Sequence, residues 1–148
     1  MEKPRVLLAD DNEPTCTLIV ALLRNEFIVD VVHDGQDAIE RLKSRRYAAV
    51  LLDVLMPGTD GFGVLDFLVS ERPEVLPRVL AVTASLSART QQRLGTYPIC
   101  KVVAKPFDIE ILQSLVRNCA DTTGEKEDFP AGPGIAGGVL LLLAQFLR

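Results

Sequence analysis

Asp10 and Asp11 form a doublet directly after the apolar run Val6-Leu7-Leu8-Ala9, and a third acid, Asp53, follows the run Ala48-Ala49-Val50-Leu51-Leu52. Acids just past buried strands sit at the mouth of an open α/β sheet, where ligands bind. Three carboxylates gathered there repel one another unless something positive sits among them. Magnesium suits such a site, because it takes one or two protein carboxylates, keeps several waters and binds phosphate oxygens. A carboxylate is also a nucleophile towards a phosphoryl group, and a metal would neutralise the repulsion between the acid and the incoming phosphate. Two residues extend the set. Thr83 follows the run Val79-Leu80-Ala81-Val82, and Lys105 follows the run ending at Val103 and precedes Pro106. Taken singly, an Asp reads as a helix cap or turn former, Thr83 as a helix-start hydroxyl and Lys105 as a solvated loop lysine. Together, each stands past a different strand and all meet at one mouth, with an ammonium and a hydroxyl to hold phosphoryl oxygens.

The elements that must position these residues are legible in the pattern. Apolar runs recur at Arg5–Ala9, Phe27–Val32, Ala48–Leu52, Arg78–Val82 and Ile99–Val103. They are mostly rich in Val, Ile and Leu without strict alternation, as strands covered on both faces require. Between them lie helical stripes: Leu18, Ile19, Leu22 and Leu23, with Asn12 as N-cap and Pro14 in the first turn; Ala38, Ile39 and Leu42; and Val64, Leu65, Leu68 and Val69. Ser87–Leu94 is a weakly apolar fourth helix. Asp108 caps a fifth, whose stripe is Ile111, Leu112, Leu115, Val116 and Cys119. Alternating strands and helices imply a parallel sheet with right-handed crossovers, hence a three-layer doubly wound α/β domain.

The chain of 148 residues is long enough for one domain with a sizeable core. Its formal charge of −4 offers no basic footprint for nucleic acid. Cys16, Cys100 and Cys119 are odd in number and widely spaced, without a CxxC or a Cys/His cluster, and His33 is the single histidine. That spacing argues against structural zinc and a disulfide framework, and leads us to expect reduced, buried or half-buried thiols in a cytoplasmic protein. The N-terminus carries no signal-peptide pattern. After residues 4–120, a charged and Pro/Gly-containing stretch at 121–134 reads as a linker, and 135–148 is an apolar tail compatible with a helix. The tail is shorter than the ~20 residues needed to span a bilayer. Its run Val139–Leu143 is an association hazard if exposed. Packing on the domain, pairing with another subunit, the start of an output region and a simple tail all remain open readings of it.

Asp10-Asp11, Asp53 with Met56-Pro57-Gly58-Thr59-Asp60-Gly61, Thr83-Ala84 and Lys105-Pro106-Phe107 resemble the receiver domain of bacterial two-component response regulators over residues 4–120. The resemblance implies a flavodoxin-like five-stranded sheet of order 2-1-3-4-5 with the site at the topological switch point. It implies that Asp53 is the phosphoacceptor, phosphorylated by a histidine kinase or a phosphotransfer protein. Magnesium would be held by Asp11, Asp53 and the Leu55 backbone carbonyl, with Asp10 acting mainly through a metal-bound water. Thr83 would hold the phosphoryl group, Lys105 would pair with it, and the Lys105-Pro106 bond would be cis.

By the same resemblance the protein is a phosphorylation switch rather than an enzyme, and it assists its own phosphorylation and dephosphorylation. It would signal through an unidentified protein partner or a phosphorelay, with no direct binding to nucleic acid and no membrane span. The helix 4–strand 5–helix 5 face, which carries Arg89, Arg93 and Arg117, reads either as a solvated face or as the family's usual output surface, and this face or the tail is the candidate for a homodimer contact. Two departures stand out. Val102 occupies the position, three before the lysine, where the family usually carries an aromatic switch residue, and Tyr97 has the wrong spacing to replace it. Leu55 and Ser85 flank the path of hydrolytic water, and Leu55 cannot orient that water, which implies slow loss of phosphate. A receiver-like binding module never phosphorylated, or a receiver piece of a larger regulator or hybrid kinase, are the alternatives. A haloacid dehalogenase-type phosphatase would need a second acid at Leu55.

Overall fold

Three of the apolar runs become strands hidden on both faces: β1 (Arg5–Ala9), β3 (Ala49–Asp53) and β4 (Val79–Thr83). Two more, β2 (Ile28–Val32) and β5 (Lys101–Ala104), flank them as edge strands. In the computed structural model, which describes residues 2–56, 58–84 and 87–121, the strands form one parallel sheet of order β2-β1-β3-β4-β5. This is the doubly wound order expected from the alternation of strands and helices. The linker and tail at 122–148 and Ser85 lie outside the described residues.

The period of two along each strand sends side chains to opposite faces. Leu7, Ala9, Val50, Leu52 and Ala81 pack on one side against α2 (Gly35–Ser44) and α3 (Gly61–Glu71), with Leu94 from α4 (Ala88–Leu94). Val6, Leu8, Leu51, Leu80 and Val103 pack on the other side against α1 (Glu13–Leu23) and α5 (Ile109–Ala120). Leu7, Leu8, Leu51, Leu52 and Leu80 are each completely or almost completely buried, and burying a leucine contributes about 1.5–3 kcal/mol.

The helix starts follow the capping chemistry of the sequence. Asn12 accepts from the Thr15 amide and Asp108 from those of Glu110 and Ile111. Asp34, Asp60 and Ser87 cap α2, α3 and α4 in the same way. A short 3-10 helix at Pro73–Arg78, unassigned in the sequence, buries Val75 and Leu76 beneath the entrance to β4.

Three expectations need correction. The strands after β1 begin one or two residues later than the apolar runs: the Phe27 amide closes a turn onto Leu23 O, and that of Ala48 makes the approach bond to Arg5 O from which β3 starts beside β1. Asp53 and Thr83 are the final residues of β3 and β4 rather than the first residues after them. The thiols of Cys100 and Cys119, expected to be reduced, are joined in a disulfide, and Cys16 alone of the three is free. Their separation in sequence concealed this, since the start of β5 and the last turn of α5 are neighbours only in the folded unit. Among the described residues, no helix is long and apolar enough to cross a membrane.

Candidate functional site

Parallel strands in register finish at one edge, and the chemistry-bearing side chains sit where they finish. Ala9 pairs with both Val32 and Leu52, Asp53 with Val82, and Thr83 with Ala104. The ladder runs one bond further in three places: the Asp10 amide donates to Val32 O (3.1 Å), Val54 to Val82 O (3.1 Å) and Lys105 to Thr83 O (2.8 Å). Asp10, Asp53, Thr83 and Lys105 are therefore fixed through the backbone of the sheet itself, which gives the site its rigidity.

The side chains of these residues converge at that edge. One carboxylate oxygen from each of Asp10, Asp11 and Asp53 lies within 4.8 Å of the others. Asp10 and Asp53 are buried, whereas Asp11 faces solvent at the rim. Lys105 reaches in from the β5–α5 loop and donates to Asp10 Oδ2 at 3.0 Å and to Asp53 Oδ2 at 3.5 Å. The Asn12 amide donates to Asp10 Oδ1 (2.8 Å) and the Leu55 amide to Asp53 Oδ1 (3.2 Å). Thr83 is fully buried beside them, and the Lys105-Pro106 bond is cis.

The electrostatics are those of an acid site short of positive charge. Burial, and then the Asp10 carboxylate, push Asp53 up to about 6, against the pull of Lys105 and the Leu55 amide. Burial alone would lower Lys105, yet its bond to Asp10 and the charges of Asp53 and Asp10 raise it above its ordinary value. Three hard oxygen donors this close, one of them solvent-facing, fit a divalent cation that keeps water in its shell.

Several supporting residues carried no readable signal in the sequence. His33 Nδ1 donates to the Asp10 carbonyl (3.0 Å), and the Cys16 thiol donates to the same oxygen (3.3 Å), so both pin the turn after β1. Gly61 opens α3 against β3: its amide donates to Val54 O (2.9 Å), and a Cβ there would lie 2.6 Å from Val54 Cα. A Cβ on Gly35 would lie 2.0 Å from Thr59 O, so the start of α2 presses on the loop after Asp53. Gly58 in that loop takes φ +71°, a conformation that favours glycine. The cap of α2 and the neighbouring loop are distant in sequence, and only the fold brings them together.

Val102, at the position where the family usually carries an aromatic, is a packing residue buried in the same core as Tyr97, Leu94 and Ile99. Tyr97 is buried too, stacks near Phe62 and donates its hydroxyl to Asp66 Oδ1.

Residues 6–117 match the family model of the response regulator receiver domain. The chain belongs to the response regulator receiver family. Among its relatives is the transcriptional regulatory protein TctD of Salmonella typhimurium, 39% identical over 114 residues, covering 76% of this chain and 50% of TctD. Another is the transcription factor SKN7 of Chaetomium thermophilum, 32% identical over 120 residues, covering 78% of this chain and 15% of SKN7. The chain thus spans about half the length of TctD and much less of SKN7. The receiver domain of the sensor histidine kinase PA1611 from Pseudomonas aeruginosa, solved with a magnesium ion coordinated in its active-site cleft, is 27% identical with a TM-score of 0.72, covering 80% of this chain and 98% of that one. The Francisella response regulator 1452 receiver domain superposes with a TM-score of 0.73 at 24% identity, over 82% of this chain and 99% of that one, and shares the fold. This is a receiver domain of the two-component signalling type, with an acidic pocket of the kind that binds magnesium in the family.

Proposed function

We propose that this receiver is a magnesium-dependent phosphorylation switch with Asp53 as the phosphoacceptor. The observation that carries the reading is the convergence of Asp10, Asp11 and Asp53 within 4.8 Å, with the Lys105 ammonium bridging Asp10 and Asp53. In this reading an Asp53 carboxylate oxygen attacks the phosphorus of a phosphohistidine on a partner histidine kinase or phosphotransfer protein. The phosphorus–nitrogen bond breaks, the electron pair leaves with the imidazole and an acyl phosphate remains on Asp53. Asp11, Asp53 and the Leu55 carbonyl would hold magnesium, with Asp10 acting through a bound water; the cation supplies charge neutralisation for the transferring phosphoryl group. Lys105 pairs with one phosphoryl oxygen and the Thr83 hydroxyl holds another. The burial that raises Asp53 keeps competing water out, and the fixed strand ends hold the acceptor in line without reorganisation.

The protein acts in the cytoplasm on this reading and passes its state to a protein partner or along a relay, with α4, β5 and α5 as the surface that is read. The experiment is beryllofluoride binding followed by amide NMR, with and without magnesium, beside acetyl phosphate labelling. Saturable, magnesium-dependent shifts at the ends of β3 and β4 that vanish in Asp53→Asn are expected. No response in the parent protein would favour an unphosphorylated binding module, and multiple turnover would favour a hydrolase.

A further inference from the structure

We propose that Cys100 and Cys119 are a reversible thiol-modification site, in which Cys100 reacts with a small-molecule disulfide and Cys119 resolves the adduct. Cys100 stands just ahead of β5, where its amide donates to Val79 O at 2.8 Å. Cys119 stands in the last turn of α5, fully buried with Leu112, Leu115 and Val116. Their Cα atoms are 6.0 Å apart, within the span that a disulfide bridges without moving backbone. The pair lies outside the carboxylate cluster, so the receiver chemistry leaves it unexplained.

The two cysteines differ in exposure, and on the proposal that sets the order of events. Cys100 is partly exposed while Cys119 is closed to solvent. The Cys100 thiolate attacks an oxidised low-molecular-weight disulfide such as glutathione disulfide, forming a mixed disulfide and releasing one thiol. The Cys119 thiol, giving up its proton, then attacks the Cys100 sulfur and expels the second thiol, so that two protein thiols become one disulfide while the small disulfide is reduced to two thiols. Reduction runs the same steps backwards. The bond closes a loop of sequence separation 19 that contains β5, Lys105 and most of α5. Oxidation therefore fastens the end of α5 to the sheet just before the chain continues past Asp121.

Independent supports stand at that turn: Leu115 and Val116 are buried, and the Arg117 guanidinium donates to both carboxylate oxygens of Glu26 on the α1 side. Reduction thus loosens the helix end without dismantling the domain. Reversibility rests on the cytoplasmic reading above, since disulfides in reducing compartments are mainly transient or sensing ones. Formation of the bond does not rest on it.

The test equilibrates the full chain in glutathione buffers from reducing to oxidising, blocks free thiols and maps each cysteine by peptide mass spectrometry. Cys100 and Cys119 should lose reactivity together and recover it together, while Cys16, buried and with its thiol pushed up to about 11 by burial and then by Asp10, stays reduced. Cys119→Ala should trap a glutathione adduct on Cys100, and Cys100→Ala should leave Cys119 unmodified. Amide exchange over residues 116–120 should slow by about tenfold or more on oxidation, the mark of a suppressed local opening. Thiols that stay free in every buffer, a bond that reduced glutathione cannot open, an adduct on Cys119 in place of Cys100, or equal exchange in both forms would each overturn the proposal. The beryllofluoride response of the same samples reads Asp53 separately, so failure of the phosphoacceptor reading is seen apart from failure of the thiol site.

Discussion

Lys105 holds its ammonium 3.0 Å from Asp10 Oδ2, a contact between residues 95 positions apart that closes the site across two strand ends. Asp10 is buried and Lys105 mostly so, which makes the pair unlike a surface ion pair. Removing one partner leaves a buried charge uncompensated. Lys105→Met should therefore lower stability at pH 7 in chelator by about 1–3 kcal/mol. Saturating magnesium should return part of that loss, because the cation supplies the missing charge. Urea unfolding of both proteins with chelator and with magnesium measures it; equal loss in the two media would mean that the lysine acts by packing alone.

Asp53, the proposed acceptor, should make the metal-free protein less stable as pH rises. Asp53 is pushed up to about 6 in the fold, above its ordinary 3.8, so between those values the folded protein binds more protons than the unfolded chain. Stability from this group is greatest below the ordinary value and falls as pH rises through about 6. Asp53→Asn removes the effect and should stabilise the metal-free protein at pH 7 by roughly 1–3 kcal/mol, with little gain at pH 4. On the proposed reading magnesium binds the ionised form, and it should flatten the dependence in the parent protein. Thermal melts across pH in chelator and in magnesium check both statements.

Much of this site was legible because each chemical residue ends or follows a run of Val, Leu and Ala, and parallel strands in register must finish together. The caps Asn12 and Asp108 were readable for a similar reason: a short polar side chain before an apolar stripe has one good partner, the exposed amides of the first turn. The bond between Cys100 and Cys119 was not readable, since it depends on α5 returning to the start of the strand it follows. Leu18 and Val69 were placed in buried stripes but are 45% and 50% exposed. Cys16 and Phe62 fill those faces, and an apolar pattern does not say where the buried stripe ends. Gly35 carried no signal because its partner, Thr59, belongs to another loop.

Gly61 should tolerate no side chain. A Cβ at this position would meet Val54 Cα at 2.6 Å and the Asp53 carbonyl oxygen at 2.7 Å, both backbone atoms in the core of the site. Gly61→Ala must push α3 away from β3, and overpacking of this kind costs about 1–3 kcal/mol. Because the displaced atoms belong to Asp53 and Val54, magnesium affinity should fall along with stability, as read by chemical denaturation and by a magnesium titration of amide shifts. A stable variant with unchanged magnesium affinity would show that the loop yields elsewhere.

Tyr97 should couple α4 to α3. Its hydroxyl donates to Asp66 Oδ1, Arg93 lies 3.9 Å from Asp66 Oδ2, and the Arg93 guanidinium sits 3.9 Å from the centre of the Phe62 ring. Phe62 follows Gly61, so the cluster rests on the same turn that leads from Asp53 into α3. Tyr97→Phe should cost about 1 kcal/mol, and in combination with Asp66→Asn the two losses should not add. A double-mutant cycle by urea unfolding measures the coupling, and additive losses would show that the hydroxyl and the carboxylate act independently.

Leu55 should make the phosphorylated state long-lived. The residue is 52% exposed two positions past Asp53, and its amide donates to Asp53 Oδ1. A leucine side chain has no hydrogen-bonding group to orient water for attack on an acyl phosphate. Loss of phosphate from purified protein should take minutes or longer. Leu55→Asn supplies an amide at the same position and should speed that loss by about tenfold, less than the roughly hundredfold or more that a positioned acid or base contributes. Because the side chain is mostly outside the core, the substitution should leave stability within roughly 0.5 kcal/mol of the parent. Decay of acetyl-phosphate-labelled protein after rapid desalting reads the rate. Fast decay in the parent that Leu55→Asn leaves unchanged would show that water reaches Asp53 by another path.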